Sequence, residues 1–390
     1  MTIRNRGLYP VLAAQFISAL ADNALLFAAI ALLKSAAAPA WHTPLLQEFF
    51  VLAYIVLAPF VGPVADAWPK GRVMLAANSL KLAGALTMLS GASPLLAYGL
   101  VGIGAAAYSP AKYGILSELV SPAELVKANS MMEGSTIAAI LLGVVLGGWL
   151  ADEGPMLAVS FTAAAYLVAA VANLLIPHLE PARPNIALAP QKLLTEFGSS
   201  LRTLWRDADA RFTLMGTSVF WGTGSTLRFL LVAWVPVALG ILDTTTPANL
   251  SGAVAVGIAL GAVLAARFVT LAKVNKALYA GLALGPLIVV FANVTTLPWA
   301  AGLLILVGAC GGFYVVPLNA LLQEKGHASV GAGSAIAVQN FFENLAMLVM
   351  VGTYTAMTGA GQPPVRLAVL FGALVLAGIT ALAWQRVRGK

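Results

Sequence analysis

Charge is scarce in this 390-residue chain: Asp, Glu, Lys and Arg together make up 9% of it. A soluble domain carries about a quarter, so a soluble globular protein is excluded. Cysteine is nearly absent. Cys310, the single one, lies in an apolar stretch and rules out both a disulfide framework and a cysteine-based metal cluster. There are three histidines, His42, His178 and His327, and the positions five residues beyond them hold Gln47, Arg183 and Ala332. A His with an Asp at that spacing, as acyl transfer would want, is therefore missing. No Gly-x-Ser-x-Gly elbow is present, which removes the commonest hydrolase signature. No Gly-x4-Gly-Lys-Ser/Thr loop is present either, so ATP does not drive this chain through a phosphate loop. The formal charge of +7 is not gathered into a basic patch interleaved with aromatics, so nucleic acid is not an expected partner. Neither a metal nor a cofactor is expected, and the chain does not read as an enzyme.

What remains is apolar. Ala, Val, Ile, Leu, Met, Phe, Trp, Tyr and Cys make up 60% of the chain, with 37 glycines. Apolar runs of about 20 residues, enough to cross a hydrocarbon core of about 30 Å, recur throughout. Glycine in such segments lets helices approach closely. The fold class is an all-α polytopic membrane protein with twelve spans: 8–33, 46–66, 73–93, 95–117, 130–150, 156–177, 211–239, 250–271, 276–296, 299–322, 333–357 and 364–385. MTIRNR and Ala19-Leu20-Ala21 imitate a signal peptide, but the apolar run resumes after Asp22-Asn23 and continues to Leu33. A retained first span is the expectation.

One connection is long. Residues 178–210 are proline-punctuated and then basic, which divides the chain into six-helix bundles at 1–177 and 211–390. The tail of that linker, QKLLTEFGSSLRTLWRDADARF, suits an amphipathic helix on the membrane surface, and equally a solvated linker helix. With twelve spans both termini share a side. That side holds 17 of the Lys and Arg residues in loops and at span ends, against Lys34 and Arg366 on the other, which places both termini in the cytoplasm.

The halves echo one another. At an offset of 206, Gly102, Tyr108, Leu116 and Glu118 fall on Gly308, Tyr314, Leu322 and Glu324. The same offset pairs Asp22 with Arg228, so each half has a charge midway along its first helix. Repeats of this kind are common in transporters, whose sites lie at the repeat interface near the midplane.

Six of the ionisable residues inside the spans stand out: Asp22, Lys81, Lys112, Glu133, Arg228 and Glu343. Each costs about 2.5–3.5 kcal/mol at the bilayer centre, so none is expected to face lipid. Their charges sum to zero, which allows mutual pairing and also suits a zwitterionic ligand. Arginine offers a phosphate a bidentate fork, and a carboxylate can hold an ammonium. The substrate-binding candidates are Asp22, Asn23, Lys112, Arg228, Gln339, Asn340 and Glu343. Asn23 also suits a helix–helix hydrogen bond, and Lys112 is close enough to a membrane surface to snorkel. Lys81 reads as a structural partner or a snorkelling residue. Gln339, Asn340, Glu343 and Asn344 form one polar cluster on the eleventh span.

The loop after the second span reads Gly62-Pro-Val-Ala-Asp66-Ala-Trp-Pro-Lys70-Gly-Arg72. A glycine, an aspartate four residues on and basic residues beyond, at this place, resemble the signature of the major facilitator superfamily. Ala67 stands where that signature usually has a basic residue, and the equivalent second-half loop, 261–276, has basic residues without the aspartate. Gly62 would allow close helix approach. Gly62, Asp66, Lys70, Arg72, Glu118, Glu133 and Glu324 are the expected gating residues. PAKYGILSEL with KAN at 127–129, and VPLNALLQEKG with VGAGSAIAVQNFFEN, resemble the bacterial lysophospholipid transporter branch of that superfamily.

The resemblance covers nearly the whole chain. It implies movement of lysophospholipids, such as lysophosphatidylethanolamine, from the outer to the inner leaflet of the bacterial inner membrane for re-acylation. In some relatives the transporter is fused to an acyltransferase and acyl-carrier-protein synthetase. Here such an enzyme is expected to be a separate protein, working with a carrier embedded among membrane lipids. Mechanistically it implies alternating access, and a lipid substrate adds sideways access from the bilayer, with Gly143, Gly147 and Gly148 as flanking residues. The rival reading is a proton-coupled exporter of drugs or metabolites, because an acidic residue in the first span suits that role too.

Overall fold

The computed structural model describes residues 7–120, 125–181 and 188–388; the side chains of Lys127 and Glu133 lie outside that description. The gating expectation for Glu133 therefore lies outside the described residues. The described residues hold thirteen α-helices and one 3₁₀ turn. The first six are α1 (Leu8–Ser35), α2 (His42–Ala67), α3 (Lys70–Leu89), α4 (Pro94–Leu119), α5 (Leu125–Glu153) and α6 (Pro155–Leu174). After α7 (Pro190–Arg206) come α8 (Ala208–Leu239), α9 (Thr245–Phe268), the 3₁₀ turn Leu271–Lys276, and α10 (Ala277–Ala292). The chain ends in α11 (Leu297–Ser329), α12 (Ala332–Gly359) and α13 (Pro364–Arg388).

Ten of these helices are long and apolar enough to cross a membrane; α3, α4 and α7 are the others. α3 and α4, which carry Lys70, Lys81, Lys112 and Glu118, have 20 and 26 residues, and at 1.5 Å per residue they reach about 30 and 39 Å. They complete the twelve expected spans. α7 is the amphipathic linker helix: Leu193 and Leu204 are buried while Lys192, Arg202 and Arg206 are exposed. Asp207 ends the linker by capping α8, its side chain accepting from the Ala210 amide at 2.8 Å.

The described residues fall into two compact units, one from Met1–Ala37 and Phe49–Phe197, the other from Ala38–Glu48 and Gly198–Lys390. Within the first, α1 is enclosed by α4, α5 and α6, and α3 packs on α4 and α6. Within the second, α8 holds the corresponding place, touched by α9, α11, α12 and α13. The repeat read from sequence has a packing meaning in each unit. A Cβ on Gly102 would collide with the Phe50 backbone of α2 at 2.7 Å, and one on Gly308 would collide with the Val254 and Ile258 backbone of α9. Tyr108 and Tyr314 are both buried with a hydroxyl that lacks a hydrogen-bond partner.

One glycine expectation is corrected. A Cβ on Gly62 would meet nothing within 4 Å, so this glycine makes no close helix approach here. Gly143 and Gly147 pack within the first unit: a Cβ at either would strike the α1 backbone at Leu20 or Ala24. They seal α5 against α1 in the manner of small-residue helix seams.

Candidate functional site

α1 presents a polar stripe to the interior of the first unit. Gln15, Ser18 and Asp22 are spaced at three and four residues, which puts them on one helix face. Gln15 donates to Thr136 on α5 at 3.1 Å, and Ser18 donates to Asn78 on α3 at 2.7 Å. The ammonium of Lys81, from α3, donates to Ser18 at 3.0 Å and to Asp22 at 2.8 Å. The Tyr166 hydroxyl, from α6, donates to the other carboxylate oxygen of Asp22 at 2.8 Å. Lys81 also stands 4.9 Å from the ring centroid of Tyr108, near enough for a cation–π contact. Both oxygens of Asp22 are thus engaged, and of the two readings of Lys81, structural partner or snorkelling residue, the pairing matches the first. Desolvating two charges is tolerable only when each is paired and hydrogen-bonded.

A cavity of about 170 Å³ opens beside this network, lined by Asp22, Asn23, Tyr54, Lys81, Tyr108 and Lys112 among others. Asn23 spends its amide on the Ala19 carbonyl of its own helix at 2.9 Å, not on a neighbouring helix. Lys112 stands 4.7 Å from the ring centroid of Tyr113. Of the binding candidates, Asp22, Asn23 and Lys112 are therefore brought together in the first unit.

Gln339, Asn340 and Glu343 are brought together in the second. Gln339 donates to Glu343 at 2.7 Å and to Asn319 of α11 at 2.8 Å. Thr217 and Trp221 of α8 also face Glu343, whose residue is 6% exposed. Asn344 donates to the Asn340 carbonyl at 2.7 Å. Arg228 is half-buried on α8.

The gating candidates divide. Lys70, 3% exposed, pairs with Asp66 at 3.4 Å and with Glu118 at the end of α4. Arg72 and Glu324 are exposed. Lys325, the neighbour of Glu324, meets Asp209 at 2.9 Å. Asp209 also takes Arg386 of α13 at 2.5 Å, and Arg386 reaches Asn275 at 3.1 Å. Sequence reading missed Asp209, Tyr166, Ser18, Asn78 and Asn319. Short polar side chains in helices are common, and nothing in linear spacing announces partners 20 to 177 positions away.

Both buried lysines of α3 run under glycines of α4. A Cβ on Gly104 would lie 2.8 Å from Cγ of Lys81, and one on Gly114 would lie 2.5 Å from Cε of Lys70. Glycine at these two positions gives each lysine stem its path to a carboxylate.

Comparison with known proteins agrees with this architecture. The chain is 56% identical over 361 residues to the lysophospholipid transporter LplT of Yersinia pestis (strain Pestoides F), covering 93% of this chain and 89% of that one. The LplT of Yersinia pseudotuberculosis serotype O:3 (strain YPIII) matches equally, at 56% over the same 361 residues. Among solved structures, the nucleoside transporter NupG superimposes with a TM-score of 0.75 at 12% identity, over 97% of this chain and 98% of that one. The human organic anion transporter MFSD10 gives 0.65 at 18% identity, over 98% and 100%. At such identities these two speak for the fold alone. Residues 11–351 match the family model described as Major Facilitator Superfamily, and with its LplT relatives the chain belongs to that superfamily, in the lysophospholipid transporter family.

Proposed function

We propose that this protein carries lysophospholipids, such as lysophosphatidylethanolamine, across the bacterial inner membrane from the outer to the inner leaflet. The observation that carries this reading is the 56% identity, over 93% of the chain, to relatives named as lysophospholipid transporters. The chemistry within each unit suits such a headgroup. In the first, Lys112 on the cavity wall offers an ammonium to a phosphate. In the second, Arg228 offers a fork for phosphate, and Glu343, held by neutral donors, offers a carboxylate to an ammonium.

The carrier works by alternating access, with the acyl chain taken sideways from the bilayer. Lys70, with Asp66 and Glu118, is the conformational cluster at the end of α4. Both termini face the cytoplasm, where a separate acyltransferase/acyl-carrier-protein synthetase consumes the delivered lysolipid. The exporter reading rested on Asp22, and that carboxylate is already neutralised by Lys81.

Uptake of labelled lysophosphatidylethanolamine by proteoliposomes, with and without proton and sodium gradients, is the test. Protein-dependent uptake is expected. Folded protein that moves no lysolipid, yet extrudes a drug when a proton gradient is imposed, would overturn the reading.

A further inference from the structure

We infer that α7 is a binding surface for anionic phospholipid. It lies along the bilayer with Leu194 and Trp205 at the boundary of the acyl chains, and with Arg202, Arg206 and Lys192 on the headgroup phosphates of the leaflet it borders. The inference goes beyond the transport reading and needs only that the chain spans a membrane.

α7 has 17 residues, PQKLLTEFGSSLRTLWR, with three cations against one carboxylate. Its contacts fix how it is rolled about its own axis. Leu193 and Leu204 are buried. Trp205 stacks on Phe342 of α12, ring centroids 5.2 Å apart and 11° from parallel, and its carbonyl accepts from Arg211 of α8 at 3.4 Å. The other side chains take their directions from that seat. At about 100° per residue, Leu194 and Trp205 come within about 20° of each other, on a stripe beside the buried one. They are 51% and 39% exposed. Arg202, Arg206 and Lys192 follow at about 60°, 100° and 140° beyond Trp205, and all three are exposed. The carboxylate, Glu196, stands at the far edge of this cationic stripe and meets Lys192 at 3.9 Å.

The order around the helix is therefore buried, exposed apolar, then cationic. A merely solvated linker would account for the cations and leave a leucine and a tryptophan side by side in water. A bilayer surface accounts for both stripes. Interfacial helices sink their apolar flank to the acyl boundary, tryptophan favours the headgroup level, and lysine and arginine close to the surface are drawn to anionic lipid.

The experiment reads where the exposed apolar stripe goes, and it measures no transport, so its outcome is independent of the reading above. Cys310→Ser removes the single cysteine. In that background Leu194→Cys carries an environment-sensitive fluorophore, and Thr203→Cys carries it on the opposite side of the helix. Each protein is placed in vesicles of phosphatidylcholine alone or of phosphatidylcholine mixed with phosphatidylglycerol, with and without a lipid bearing a nitroxide on its acyl chain. At Leu194 the mixed vesicles should give blue-shifted emission that the nitroxide quenches, and phosphatidylcholine alone should leave the label in water. At Thr203 the label should stay in water in both. Arg202→Gln and Arg206→Gln should each lower the bound-to-free ratio of α7 about fivefold, and added salt should lower it with both arginines in place.

A label at Leu194 that stays in water in both kinds of vesicle makes α7 a solvated linker and overturns the inference. Burial that is equal in both kinds overturns it too, since anionic lipid would then play no part. If the labelled variant does not fold, the unlabelled protein carries the comparison. Phosphatidylglycerol added to its detergent micelles should raise the melting temperature more than phosphatidylcholine does, and the double variant Arg202→Gln, Arg206→Gln should erase the difference. A difference that survives in the double variant rejects α7 as the site.

Discussion

Asp209, at the start of α8, is joined to Arg386 near the end of α13, oxygen to nitrogen 2.5 Å, across 177 positions of sequence. Lys325 adds a second cation to the same carboxylate at 2.9 Å. In the first unit, at the end of α4, one lysine stands between two carboxylates, Asp66 and Glu118. In the second, at the end of α11, one carboxylate stands between two cations. The second-half loop lacks the signature aspartate, and the pairing is met with the charges inverted.

Asp209→Asn should therefore lower the melting temperature of the detergent-solubilised protein. The members are partly exposed, with side chains at 31%, 36% and 18%, so the loss should shrink as salt screens the cluster. Arg386→Met should cost more than Lys325→Met, since Arg386 is less exposed, bonds Asn275 and lies over the Phe212 ring at 4.8 Å. Equal melting temperatures for all four proteins would show that the cluster holds nothing.

Gly104 and Gly62 make a contrasting pair. A Cβ on Gly104 meets the Ala77 carbonyl at 2.7 Å and the Lys81 stem at 2.8 Å, whereas one on Gly62 meets nothing. Gly104→Ala should destabilise by about 1–3 kcal/mol, the usual cost of overpacking. Gly62→Ala, in a helix interior, should be neutral or gain up to about 1 kcal/mol. Thermal unfolding of the two variants decides, and a larger loss at Gly62 would refute the assignment.

The helical architecture was legible because apolar runs, proline breaks and basic loops act locally, and α1 to α13 follow them. The repeat was legible at Gly102, Tyr108, Gly308 and Tyr314, where each half needs the same close approach and the same buried ring. Asp22 and Glu343 stood out because a carboxylate in a membrane span demands an explanation, and Gln339, four residues before Glu343 on the same helix, stood out with it. The distant partners did not. Lys81 and Tyr166 meet Asp22, and Asn319 meets Gln339, only through tertiary packing. The role given to Gly62 failed for a related reason: a glycine marks permission for close approach, and the neighbouring helix decides whether it is used.

Gln339 bridges two acceptors, Asn319 and Glu343, with one amide nitrogen. Gln339→Leu should leave a 6%-exposed carboxylate short of a donor, at a cost of about 1–3 kcal/mol. Adding Glu343→Gln to that variant should recover part of the loss, because the buried charge goes with it. Double-mutant melting curves would measure the coupling. Strict additivity would mean that Gln339 does not support Glu343.

Arg228 is the sharpest test of the binding proposal. If it holds the lysolipid phosphate, Arg228→Ala should stay folded at near-normal melting temperature and lose uptake. If instead it serves a buried structural pair, removing it should cost about 3–5 kcal/mol, since a charge is left uncompensated. Asp22 does not create that difficulty, because Lys81 compensates it at 2.8 Å. Arg228→Lys should keep only partial activity, a point charge replacing a planar fork. The double variant Asp22→Ala, Arg228→Ala should remain inactive. Uptake restored in that double variant would reject phosphate binding by Arg228 and leave a structural pair in its place.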